Sequence, residues 1–330
     1  MKLQFPFIQL PLCYDAGLLA AEVEAVGESS WRPHPQKFEG NSMLPLVAVD
    51  GDPANESFAG PMRPTPHLEA CPYLMQVIDS FGATVGRSRL MRLSGHAEVS
   101  RHVDQGYYWA ERVRVHVPIV TQPTVRFECG DATVNMAEGE CWIFDTWRQH
   151  NVINDAVQSR IHLVVDTVGG ERFWDMVAKG RPQPLPPGGD AWKPRLVVPQ
   201  PGLRPTLACE AVNVPAVMSP WELNAQLGML FADVVPHPQL GQVQALAARM
   251  VRSWRFLWAQ FGEAPEGQPR FRALIDRFLV ESDLPGAPIM LRNGVRLHAV
   301  LNIRIGQSAV SRAASPVAPG VVPAGVADRG

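Results

Sequence analysis

Between Arg112 and Val120 the chain reads RVRVHVPIV, and its alternation is strict. Val113, Val115, Val117 and Ile119 share one face; Arg112, Arg114 and His116 share the other. A strand turns successive side chains to opposite faces, so a period of two marks a sheet with one apolar and one polar side. RIHLVVDTV, from Arg160 to Val168, repeats the pattern and groups Arg160, His162 and Asp166. TVRFE, ATVNM and CWIFD lie between these stretches, separated by Cys-Gly-Asp and Glu-Gly-Glu turns. Many short strands at close spacing, from about Thr84 to Val168, predict a β-sandwich or barrel, with a jelly roll as the natural candidate.

On either side the apolar period lengthens. The first eighty or so residues predict helices joined by long loops. YDAGLLAAEVEAVGES offers Asp15 as a cap and Leu18, Leu19, Val23 and Val26 as a buried stripe. PYLMQVIDSFGA spaces Leu74, Val77, Ile78 and Phe81 for a helix that stops at Gly82. Residues 181–205 hold eight prolines, the composition of a stiff linker or a wrapping arm. Beyond them SPWE, from Ser219 to Glu222, is a capping box with proline at the first helical position. VQALAARMVRSWRFLWAQFG predicts a helix whose stripe is Leu246, Met250, Trp254, Leu257, Trp258 and Phe261. FRALIDRFL predicts another, and IMLRNGVRLHAVL reads as a hairpin around Asn293-Gly294, with His298 a lone histidine beside it.

The expected fold is therefore β-rich α+β. A double-stranded β-helix (jelly-roll) core carries flanking N-terminal helices and a mainly helical C-terminal extension. The expected organisation is a jelly-roll domain over 1–180, a Pro-rich linker or arm over 181–215, a mainly helical region over 216–310 and a disordered tail over 311–330.

Composition narrows the function classes. Of 330 residues, 46% are hydrophobic and 19% charged, as in an ordinary globular protein. A formal net charge of -2 gives no electrostatic reason to expect nucleic acid or an anionic membrane surface. No apolar run is long enough for a membrane span, and MKLQFPFIQLPLCYDAG, broken by Gln and Pro, reads as mature protein. The five cysteines are scattered, without a CxxC, which points to a reducing compartment; cytoplasmic is the expectation.

The chemistry gathers on the β region. His102 and Asp104 stand two apart in RHVDQGYYW, so a strand there would turn both to one side. Alone, such a pair is more often a solvated strand edge. His150, in WRQHNVIN, adds a distant second imidazole, and two histidines with one carboxylate form the facial ligand set of non-haem Fe(II) oxygenases. Arg160 opens the next strand, where a guanidinium inside a barrel needs an anionic partner and suits a carboxylate. Around these, two readings stand for most residues. Arg114 and His116 either face the site or form an exposed, charge-paired strand face. His162 is a site residue or a satisfied core histidine, and Asp166 reads as structural. Tyr107, Tyr108 and Trp109 wall a substrate pocket or pack in the core. Arg89 and Arg92 grip a substrate carboxylate or form surface salt bridges.

HVDQGYYW, RVRVHVPIVTQPTVRF, GECWIFDTWRQHNVIN and RIHLVVD, in that order, resemble the aspartyl/asparaginyl β-hydroxylases and the related bacterial cis-proline hydroxylases. Those are Fe(II)/2-oxoglutarate dioxygenases, and the likeness spans roughly Thr84 to Val168. The resemblance implies that His102, Asp104 and His150 hold Fe(II), and that Arg160 holds the distal carboxylate of 2-oxoglutarate. It places Arg114 and His116 near the metal-bound end of that co-substrate. It implies hydroxylation of an amino-acid carbon by O2, with succinate and CO2 as by-products, in a free amino acid such as proline or in a peptide residue. Arg89, Arg92, Tyr107 and Trp109 are the candidate substrate contacts. Some vertebrate members lack the carboxylate ligand; with Asp104 this chain looks like the bacterial branch. From about Pro182 onward nothing matches a nameable family. The alternative is a non-catalytic jelly-roll module that senses a small carboxylate; a zinc hydrolase is a more distant one, since no base stands beside the ligand set.

Overall fold

The computed structural model describes residues 1–35, 39–184 and 192–311. The chain forms two compact units, one of Met1–Val214 with Arg292–Val295, the other of Pro215–Leu291 with the described residues from Arg296. The low-complexity tail beyond Ser311 lies outside the described residues.

The first unit carries β1 (Phe7–Cys13), β2 (Arg32–Pro33), β3 (Asn41–Val49), β4 (Met62–Pro64), β5 (Thr84–Leu93), β6 (Glu98–His102), β7 (Val113–Val120), β8 (Val125–Cys129), β9 (Ala132–Val134), β10 (Glu140–Phe144), β11 (His150–Asn154), β12 (Arg160–Gly169), β13 (Arg181–Gln183) and β14 (Arg195–Leu196). Its helices are α1 (Ala16–Val26), α2 (Pro66–Glu69), α3 (Pro72–Ser80), α4 (Tyr107–Ala110) and α5 (Glu171–Ala178). A large sheet runs in the order β13-β1-β10-β7-β12-β5-β3-β2, and a small one in the order β6-β11-β8-β9. Together they form the expected double-stranded β-helix.

The alternation read in β7 and β12 decides what each face of the large sheet does. Val113, Val115, Val117 and Ile119, with Leu163 and Val165, join a core cluster that includes Leu19, Val23, Leu74, Val77 and Ile78 of α1 and α3 and Phe81 just after α3. Each such buried aliphatic contributes about 1.5–3 kcal/mol. The opposite face meets the small sheet. Phe7, Leu93 and Phe144 pack there with Val125, Phe127 and Val152, and Phe7 meets Phe127 edge-on at 5.6 Å. The polar half of each alternating strand is thereby turned into the space between the sheets.

The first eighty residues differ from expectation, because β1 and β3 are strands inside the large sheet rather than parts of a helical region. FIQLPLC and NSMLPLVAV are buried almost throughout, so they carry no period of two. The helices expected at Asp15 and before Gly82 are present; the Asp15 side chain accepts from the N–H of Leu18 at 3.0 Å. Leu18 of the expected stripe is exposed while Leu19 and Val23 are buried. The Pro-rich stretch lies along the first unit: β13 and β14 pair with β1, and the Gln76 amide donates to the carbonyls of Gln200 and Leu203.

The second unit holds α6 (Pro220–Ala232), α7 (Leu240–Phe261), α8 (Gln268–Gly286) and α9 (Leu297–Leu301). Ser219 caps α6 by accepting from Glu222 N–H at 3.2 Å, as SPWE predicted. In α7 the buried stripe is Val243, Ala247, Met250, Val251, Trp254 and Leu257, rotated from the one expected, with Leu246, Trp258 and Phe261 only partly covered. Trp254 packs on Phe271 at 4.5 Å and donates to the Met218 carbonyl at 2.8 Å. The hairpin expected at Asn293-Gly294 is only a turn. Gly294 takes φ +82°, but a single bridge joins Met290 to Arg296 before α9 begins. LHAVL folds as a helix because Leu297, Val300 and Leu301 are buried at helical spacing.

Candidate metal and carboxylate site

The antiparallel pairing of β6 with β11 sets His150 directly opposite His102, and their rings stand 4.2 Å apart. Asp104 follows β6 in a loop held by its backbone N–H to the Thr146 carbonyl at 3.1 Å. The carboxylate thus reaches the two imidazoles from a loop rather than from the strand continuation the i, i+2 spacing suggested. His102 Nε2 lies 3.9 Å from Asp104 Oδ1, and one ligating atom from each of the three residues falls within 4.8 Å of the others.

The imidazoles are oriented for ligation. His102 Nδ1 lies 2.7 Å from the Ser100 carbonyl, and His150 Nδ1 2.9 Å from that of Arg148. A carbonyl only accepts, so each Nδ1 carries the proton and each Nε2 keeps its lone pair. Burial lowers His150 to about 4 despite the opposing pull of Asp104, so it is neutral near pH 7. For Asp104, burial works against ionisation. The charged groups around it, Arg114 foremost, outweigh burial and hold the carboxyl below its usual range. Asp104 Oδ2 is buried without a hydrogen bond. Two imidazoles that keep their Nε2 lone pairs and one ionised carboxylate whose Oδ2 makes no hydrogen bond are a donor set that fits a divalent ion.

Arg114 stands behind this set. Its Nη1 is 3.3 Å from Asp104 Oδ2 and its Nε donates to Asp166 Oδ1 at 2.9 Å, while its guanidinium covers the Trp109 ring at 4.2 Å. Asp166 is fully buried. Arg114 is thus committed to two carboxylates of the chain.

The site opens on a cavity of about 320 Å³ between the sheets. Arg160 lines it at 4% exposure, and burial pushes its guanidinium down to about 9. Among the described residues Arg160 makes no ion pair; its Nη2 donates to His162 Nδ1 at 2.7 Å. His162 in turn lies 3.4 Å from His116 Nδ1. Burial, then Arg160, holds both histidines well below their usual range, so both stay neutral. His116 lines the cavity; His162 is buried beside it and supports Arg160 through Nδ1, while its Nε2 is buried without a partner. A guanidinium aimed into a cavity without a carboxylate partner suits an anionic ligand.

The four candidate substrate contacts separate. Arg89 and Trp109 line the cavity. Arg92 does not: it sits on the other face of β5, donates to both oxygens of Glu28 at 2.7 Å and covers the Trp31 ring. Counting parity from Arg89 places Arg92 outside. Tyr107 is buried behind the wall. Arg87, which shares the inward parity of Arg89, lines the cavity with His34, Asn41 and Phe58. The alternation in GRSRLMRL carried the signal for Arg87; nothing local marked His34 or Asn41.

Residues 42–169 match the family model described as aspartyl/asparaginyl β-hydroxylase, a stretch that contains the motifs between Thr84 and Val168 and extends upstream of them. The L-proline cis-3-hydroxylase 1 of a Streptomyces species is 28% identical over 137 residues, covering 37% of this chain and 45% of that protein. The chain therefore spans under half the length of that curated relative. Among solved structures, a 2OG-Fe(II) oxygenase-family oxidoreductase from Burkholderia pseudomallei is similar at 16% identity and a TM-score of 0.38, over 51% of this chain and 87% of that one. A prolyl-4-hydroxylase from Pseudomonas putida is similar at 17% identity and a TM-score of 0.35, over 50% and 92%.

Proposed function

We propose that this chain is an Fe(II)/2-oxoglutarate-dependent hydroxylase of an amino-acid carbon. The single observation that carries the proposal is the convergence of His102, Asp104 and His150 beside a buried Arg160 that lacks an acidic partner among the described residues. The match of residues 42–169 to the hydroxylase family model supports it, as does the partial likeness to a proline hydroxylase.

In this reading His102, Asp104 and His150 hold the ferrous ion, whose reaction with O2 and 2-oxoglutarate supplies the oxidising power for hydroxylation. Every other task belongs to the chain. Ser100 and Arg148 carbonyls keep both imidazoles in the ligating tautomer. Arg114, fixed by Asp166, orients Asp104. Arg160, propped by His162, receives the distal carboxylate of 2-oxoglutarate. Phe127, Phe144 and Val152 give the cavity an apolar lining, which excludes water and strengthens each charged contact. Arg114 acts through Asp104 in this scheme and not as a direct ligand of the co-substrate.

The test is aerobic incubation with Fe(II), 2-oxoglutarate and a panel of free amino acids and short peptides. A product heavier by one oxygen, formed with equivalent succinate and lost in His150→Ala, is expected. Stoichiometric carboxylate binding with no succinate under any condition would instead mark a binding module and overturn the proposal.

A further inference from the structure

Besides the outward-facing Arg92, five arginines lie on β5, β7 and β12 or directly before β7, and three have a visible occupation. Arg112 forms a buried bidentate pair with Glu210, at 2.7 and 3.0 Å. Arg114 bridges Asp104 and Asp166, and Arg160 rests on His162. Arg87 and Arg89 remain, two apart on β5 and each 6% exposed. Among the described residues neither side chain makes an ion pair or a hydrogen bond. Arg87 covers the Phe58 ring at 4.5 Å, and Arg89 Nε is buried without a partner. Burial and the neighbouring Arg87 push Arg89 down to about 9. Among the described residues the nearby acids make no hydrogen bond to either arginine, although Asp166 Oδ2 is itself buried without a hydrogen bond. Asp166 Oδ1 receives Arg114, and Glu56, at the cavity mouth with its side chain 48% exposed, lies 3.5 Å from Arg32.

Arginine is almost never buried unless paired, because desolvating an unpaired guanidinium is costly. Two adjacent ones, both lining the cavity, are tolerable in a protein whose ligand completes them. The charges around the cavity agree. Among the described residues, Arg87, Arg89, Arg114 and Arg160 face three carboxylates, the buried Asp166, the partly buried Asp104 and the half-exposed Glu56. A ferrous ion and a 2-oxoglutarate dianion cancel each other, so the cationic excess stays with whatever binds last.

We propose that Arg87 and Arg89 form a carboxylate-binding subsite for the substrate, which is a small acid presenting a free carboxylate to both guanidiniums. This rests on the hydroxylase reading for the word substrate; the subsite itself rests on the two arginines. Its carboxylate has two sources, the α-carboxylate of a free amino acid or the side chain of an acidic residue. An uncharged residue inside a peptide is excluded.

Isothermal titration of the Mn(II)- and 2-oxoglutarate-loaded protein with L-proline, L-aspartate, N-acetyl-L-aspartic acid α-amide and propionate tests this, with L-prolinamide and propionamide as counterparts lacking the carboxylate; propionamide is the uncharged one. At least one carboxylate should bind tenfold or more tighter than its amide, and Arg89→Gln should lose that preference while keeping wild-type affinity for Mn(II) and 2-oxoglutarate. Binding of L-proline or L-aspartate alone assigns the α-carboxylate; binding of the N-acetyl α-amide assigns the side chain. Propionate titrated into metal-free protein separates the claims: a wild type that takes propionate but neither Mn(II) nor 2-oxoglutarate keeps the subsite and loses the hydroxylase. A stability measurement on the free protein is independent of any ligand choice. Arg89→Met and Arg87→Met remove unpaired buried charges, so each should raise the melting midpoint by about 2–4 °C. Amides binding as well as acids, no carboxylate binding at all, or a lowered midpoint in both Met variants would overturn the proposal.

Discussion

Asp166 shows how a residue with no contact to the ligand set can govern it. It holds Arg114, and Arg114 holds Asp104. Removing the partners that orient a metal-ligating group weakens metal binding by roughly 10–100-fold. Asp166→Asn should therefore lower Mn(II) affinity by about tenfold in calorimetry; an unchanged affinity would show that Asp104 needs no such support. The neutral histidines make a second residue-scale prediction. Burial, with nearby arginines, lowers His34 to about 3 and holds His116 and His162 well below their usual range. Their folded values lie below the unfolded value of about 6.5. The stability they leave intact above that pH is lost as pH falls toward the folded values, because the unfolded chain takes up protons first. The unfolding free energy of metal-free protein should fall between pH 6.5 and 4 by more than about 1.4 kcal/mol per pH unit, the slope of a single proton. A flat profile in urea titrations across that window would contradict the burial of these rings.

At the scale of elements, the strap that follows β14 is fixed by one charged pair. Glu210 carries the carboxylate that Arg112 grips, and its backbone joins Val85 at 2.9 Å and Met62 at 2.7 Å. Breaking a buried pair from one side leaves an uncompensated charge, at about 3–5 kcal/mol. Glu210→Gln should lower first-unit stability by that order in urea unfolding, whereas a loss under 1 kcal/mol would make the strap incidental. In the second unit, Ser219→Ala removes the cap of α6 and should destabilise it by about 1 kcal/mol. What the sequence revealed about these elements follows from their burial. β7 and β12 were legible because one face packs on helices and the other lines a cavity, which writes a period of two. β1 and β3, covered on both sides, wrote none. The ligand set was legible as an ordered trio of residue types, but its convergence depends on the β6–β11 register and on a loop, neither of which spacing encodes. Arg92 is nearer to His102 in sequence than Arg87, yet strand parity turns Arg87 into the cavity and Arg92 out to Glu28. Glu210 was out of reach, lying ninety-eight positions from its partner.

The first unit as a whole is a sheet whose two faces have divided the labour. One face joins α1 and α3 in an apolar core that supplies stability; the other gathers guanidiniums, imidazoles and carboxylates against the small sheet. Those buried charges are stabilising only when ligands complete them, so the metal, the co-substrate and an acidic substrate should each raise the melting midpoint of the free protein. The most direct test of the central claim is an anaerobic titration of Fe(II) and then 2-oxoglutarate, followed by visible absorption. A weak charge-transfer band saturating at one equivalent of each, absent in Asp104→Ala and weakened in Arg160→Gln, is the predicted result. A well-folded wild type that develops no band, or one whose band survives both substitutions, would contradict the account.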